Sequence, residues 1–130
     1  SFIGNVFDTG RTSLKTYEWE AQEFARFGID KLPVFILETG WKHSEGISPE
    51  TVADYFIDAF NNVFNSENIV AVTPFLLNYQ GEPFDHFSWK KLNSPDFYPM
   101  YETIKNMPKV AGDPKIKNNS ICYCITAFFF

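Results

Sequence analysis

A lone carboxylate closes an apolar run: Leu32-Pro33-Val34-Phe35-Ile36-Leu37-Glu38-Thr39-Gly40-Trp41. A short, almost uninterrupted apolar stretch reads as a β-strand covered on both faces. A carboxylate at the C-terminal end of such a strand sits where α/β folds carry their chemistry. A group fixed there can attack an electrophile or move a proton. The functional reading therefore turns on Glu38.

The elements around Glu38 follow from periodicity and punctuation. Residues 2–7 read as the end of a strand, broken by Asp8-Thr9-Gly10. A helix is expected over 13–27, capped by Thr12 or Ser13, with Leu14, Tyr17, Ala21, Phe24, Ala25 and Phe27 on one face. Gly28 stops it. The Glu38 strand comes next, then a polar loop over 40–47. Ser48-Pro49-Glu50 is a strong helix start, combining a capping hydroxyl, a first-turn proline and an acid at the positive end of the dipole. Val52, Ala53, Phe56, Ile57, Phe60, Val63 and Phe64 form its apolar stripe. A second apolar strand starts at Ile69 and runs past Thr73-Pro74 to Leu77, with Pro74 marking a bulge or strand end. Residues 78–95 form a long aromatic loop, and a short helix runs from Tyr98 or Pro99 to Asn106. This alternation predicts an α/β fold with parallel strands and right-handed crossovers.

Composition narrows the function. The 130 residues suffice for one domain with a core, and they include 15 Phe, 6 Tyr and 3 Trp. Such an aromatic load suits a large core or a ring-lined cleft. The net charge is −5, and Lys90-Lys91 is the sole adjacent basic pair, which argues against a nucleic-acid partner. No EF-hand loop, Walker loop or zinc spacing occurs, and His43 and His86 lie in no metal motif, so no metal or other cofactor is expected. Cys122 and Cys124 are too close in sequence for an unstrained mutual disulfide. Residues 121–130 are apolar, but a spanning helix needs roughly 20 residues. They read as the start of an anchor, of a further domain, or of neither, and membrane anchoring stays open.

Residues 33–41 resemble the seventh strand of clan A retaining glycoside hydrolases, (β/α)₈ barrels in which an apolar strand ends in the nucleophilic Glu. Here that pattern reads Val34-Phe35-Ile36-Leu37-Glu38-Thr39-Gly40-Trp41. Residues 43–64 then resemble the seventh helix, 69–79 the eighth strand and 98–108 the last helix. The resemblance implies the C-terminal portion of a TIM barrel over residues 1–114, with about three strands and three helices, and a connector and apolar tail over 115–130. It implies hydrolysis of β-linked sugars through a glycosyl-enzyme, a carbohydrate as partner, and a secreted or cell-surface location. Retaining hydrolysis needs two carboxyl groups about 5–5.5 Å apart, one to attack and one to protonate the leaving oxygen. Glu38 matches the first. The family's acid/base Glu follows an Asn at the fourth strand, and no Asn-Glu pair occurs in this sequence. The chain is thus expected to be a fragment, carrying half of the catalytic pair and inactive alone. A non-catalytic carbohydrate-binding or interaction domain is the alternative.

The remaining candidates each carry two readings. Trp41 is a stacking platform for a sugar or a core plug. His43 bonds a sugar hydroxyl or is an ordinary loop histidine. Asn78 and Tyr79 close the second strand on the same face as Glu38 and reach substrate or simply shape the loop. Trp89 lines a cleft or anchors its loop. Glu82 and Asp85 are further carboxylates on a segment without the rigidity of a strand end. Asn118-Asn119-Ser120 matches a glycosylation sequon.

Overall fold

A computed structural model describes residues 5–29, 31–109 and 125–129. Its elements are α1 (Thr16–Ala25), β1 (Val34–Thr39), α2 (Pro49–Asn62), β2 (Ile69–Pro74), α3 (Pro99–Asn106) and β3 (Ile125–Phe129). The strands form a parallel sheet in the order β2-β1-β3. The fold is α/β with a parallel sheet, as the alternation of elements predicts.

The third strand is not the one expected. Val6 and Phe7 lie in a turn, because the side chains of Asn5 and Asp8 compete for the backbone: Asp8 takes the Asn5 N–H at 2.9 Å and Asn5 takes the Phe7 N–H at 2.9 Å. Residues 2–4 of that expected strand lie outside the described residues. The apolar tail instead supplies β3, which pairs along β1 from Val34↔Ile125 to Thr39↔Phe129. The cysteines and the sequon lie outside the described residues.

α1 is shorter than its periodicity suggests. Lys15 occupies the cap position without a side-chain bond, while Ser13 accepts the Lys15 N–H in the turn before it. Gly28 ends the helix as expected. At φ +77° it lets its own N–H reach the Ala25 carbonyl and the Ile29 N–H reach that of Phe24, a Schellman closure. Only the front of the apolar face is buried. Leu14 and Tyr17 are in the core, whereas Phe24 and Ala25 are exposed and Phe27 is 80% exposed.

α2 starts where its signals say. Ser48 accepts the Thr51 N–H at 3.2 Å and Pro49 occupies the first turn. Its stripe divides between two packed regions. Ala59, Val63 and Phe64 meet Val34 and Ile36 of β1 together with Leu14 and Tyr17. Val52, Ala53 and Phe56 meet Trp89 and Met100 of α3. The Tyr17 hydroxyl donates to the Val63 carbonyl at 2.7 Å and ties α1 to the end of α2. Burial and the neighbouring Glu18 hold that phenol far above its ordinary value.

β1 is covered more fully on one face than the other. Val34 and Ile36 are buried against the helices, while Phe35 and Leu37 remain half-buried. β2 ends at Pro74 and does not continue to Leu77. Proline has no N–H for a ladder, so the chain leaves the sheet and pairs with its own loop. Leu76 N–H bonds the Phe87 carbonyl at 3.2 Å, and Trp89 N–H bonds that of Leu76 at 3.0 Å.

Candidate active site

Glu38 owes its position to a break in register. Leu37 pairs with Thr73 and Thr39 with Pro74, so two steps along β1 match one along β2. On the other edge, Ile36 pairs with Ala127 and Thr39 with Phe129, so three steps match two. Glu38 is the extra residue of a β-bulge against β2, and the β3 ladder slips by one residue over the same stretch. Its φ is +55°, a conformation that residues with a Cβ rarely adopt. The bulge changes which way Glu38 faces. Strict alternation would put it on the buried face with Val34 and Ile36. Instead Thr39 takes that buried place, at 0% exposed, and Glu38 is exposed at the strand end.

Two neighbours hold this geometry. The Thr73 hydroxyl accepts the Glu38 N–H at 3.3 Å and donates to the Ile36 carbonyl at 3.4 Å. Phe75, the first residue after Pro74 with an N–H, donates to the Thr39 carbonyl at 2.8 Å. The Phe75 backbone then presses on Gly40, where a Cβ would stand 2.6 Å from the Phe75 carbonyl oxygen. Gly40 is therefore required by the close approach of two chains.

Trp41 is wedged between the two packed regions. Its ring meets Phe56 edge-on at 5.1 Å and Tyr55 at 5.6 Å. Trp89, 7% exposed, packs edge-on against Phe56 at 5.3 Å and keeps little surface for a ligand. Asn78 is exposed, and its amide oxygen accepts from Gln80 at 2.7 Å. Tyr79 is pinned by its backbone, whose N–H bonds the buried Ser88 hydroxyl at 3.1 Å. Its ring is 38% exposed and faces Phe84, which is 39% exposed and in turn meets Phe75. Phe84 belongs to this array of rings although nothing in its local sequence distinguishes it from a core aromatic.

His43 is held by the same loop. Its backbone N–H bonds the His86 carbonyl at 2.9 Å, and its half-buried ring lies 4.6 Å from that of Tyr98 and 6.2 Å from that of His86. Nε2 is buried and has no hydrogen-bond partner. Burial first, and His86 second, push the imidazole below its ordinary value of 6.5, against a hydrogen bond to the Ser88 backbone and the charge of Asp85.

Glu82, Asp85 and His86 gather beside it, each offering one ligand atom within 4.8 Å of the others, the arrangement among the described residues that a cation could use. Asp85 already bonds the His86 backbone N–H at 3.0 Å and lies 3.7 Å from His86 Nε2.

An exposed carboxylate on a strand end can meet a small polar molecule from solvent and attack it in line. Sequence reasoning passed over Thr73, and it looked for a bulge or strand end at Pro74 rather than for a bulge at Glu38 on the strand opposite. The available signals were Pro74, which cannot donate to a ladder, and Gly40, placed where chains touch. Comparison with protein-family models, with curated proteins and with solved structures found no match for the chain.

Proposed function

We propose that this chain is the nucleophile-bearing, C-terminal portion of a (β/α)₈ barrel that hydrolyses β-linked glycosides with retention, with β3 on the edge of β1 where a barrel places an earlier strand. The reading rests on one observation: a bulge turns Glu38 out of the buried face at the C-terminal end of a parallel strand. Its carboxylate attacks the anomeric carbon, the bond to the leaving oxygen breaks, and a glycosyl-enzyme forms. A second carboxyl group protonates the leaving oxygen and later activates water. Trp41, His43, Asn78 and Tyr79 are proposed as the substrate-side surroundings, with Tyr79 the most open aromatic ring among them, whereas the buried Trp89 anchors its loop.

The test is mass spectrometry after incubation with activated 2-fluoro-glycosides of several sugars, whose leaving group departs without a general acid, so that the nucleophile alone suffices for labelling though not for turnover. A glycosyl adduct on Glu38, absent in Glu38→Gln, is the expected result. An adduct on another residue, or none from any sugar, would overturn the assignment. A non-catalytic carbohydrate-binding domain is the second reading, favoured by the lack of an Asn-Glu pair and by the exposed rings of Tyr79 and Phe84. Oligosaccharide binding without any adduct would select it.

A further inference from the structure

At the Glu38 bulge β2 adds a side chain to the backbone ladder. In a regular parallel bridge between Leu37 and Thr73, the backbone of Thr73 serves the groups on either side of Leu37. Its N–H would meet the Ile36 carbonyl and its carbonyl would meet the Glu38 N–H. Beside that pairing, the Thr73 hydroxyl contacts the same two groups, accepting from Glu38 N–H at 3.3 Å and donating to the Ile36 carbonyl at 3.4 Å. One hydroxyl can do both, because it has a proton to give and lone pairs to receive. It does so where the register shifts, beside Pro74, which has no N–H and is matched against the bulge.

We infer that Thr73 is the positioning residue of this site: its hydroxyl holds Glu38 in the left-handed bulge that presents the carboxylate to solvent. Without the bulge, strand alternation returns position 38 to the buried face, where an ionised carboxylate is costly. Valine keeps the shape of threonine and loses the bond; serine keeps the bond and loses a methyl. The catalytic meaning of this role rests on the proposed function, whereas the role itself does not.

The experiment has two arms on the whole chain. The first is hydrogen exchange of the Glu38 amide, followed by NMR in the wild type, Thr73→Val and Thr73→Ser. We expect the wild-type amide to be protected although its residue is exposed. In Thr73→Val it should exchange about tenfold faster, with the Val34 and Ile36 amides unchanged, and Thr73→Ser should restore protection. Free-peptide exchange of the wild-type Glu38 amide overturns the inference even if Thr73→Val does not fold. Unchanged exchange in Thr73→Val, or no recovery in Thr73→Ser, overturns it as well. The second arm is the labelling rate with the 2-fluoro-glycoside that modifies the wild type. Its maximal rate should drop about tenfold in Thr73→Val at an unchanged half-saturating concentration, as expected for lost orientation. If no sugar labels the wild type, the proposed function fails and the exchange arm alone decides the role of Thr73.

Discussion

Thr39 shows what the bulge costs. Its side chain is 0% exposed and its hydroxyl has no hydrogen-bond partner. A buried hydroxyl left unpaired is a penalty that a methyl of the same shape avoids. Thr39→Val is therefore expected to stabilise the chain by about 1 kcal/mol, read from urea unfolding midpoints. A loss of stability would mean that the hydroxyl is satisfied in solution. His43 makes a second prediction at this scale. Its native pKa is lowered, so the unfolded chain binds more protons than the native one below about pH 6.5. Stability should be full above that value and decline as the pH falls from 6.5 through the lowered native pKa. In thermal melts across this window, His43→Gln should show a shallower decline than the wild type. Of the candidate residues, Glu38 was visible in sequence because a charge ends an apolar run. His43 was ambiguous because its partners, His86 and Tyr98, come from distant segments.

Some elements announced by local chemistry formed where that chemistry stood, although the Thr12 or Ser13 cap expected for α1 did not. The Ser48 cap with Pro49 and the Gly28 stop are contacts within a few residues, and each is present. Elements inferred from periodicity alone were less well bounded. The stripe of α1 continues to Phe24 and Phe27, yet those rings are exposed, since periodicity marks a face and does not supply a partner for it. The expected strand at Val6 and Phe7 gave way to an Asn5–Asp8 turn. Gly40 carries the sharpest test at this scale. A Cβ there would stand 2.6 Å from a backbone oxygen, which cannot rotate away as a side-chain tip could. Gly40→Ala is expected to cost about 1–3 kcal/mol in urea unfolding. A neutral result would show that Phe75 yields without strain.

At the scale of the molecule, the β2 side of the sheet is an apolar edge among the described residues. Among the described residues β2 pairs with β1 alone, and Val70 on it is exposed. An unpaired apolar edge is a template for another chain. Wild-type protein is expected to self-associate in sedimentation velocity, and Val70→Lys to shift it toward monomer. A wild type that stays monomeric at high concentration would contradict this.

Strand character, helix starts and the placement of one carboxylate at a strand end are written locally, in residue type and spacing. Those depend on backbone preference, capping and side-chain period, and a chain carries them wherever it goes. The direction Glu38 faces, the partner of its amide and the source of the third strand depend on what lies alongside. Thr73 and Pro74 are 35 and 36 residues from Glu38, and Ile125–Phe129 lies farther still. Register between strands is a long-range quantity, and one extra residue in it exchanges the buried side of a strand for the exposed one.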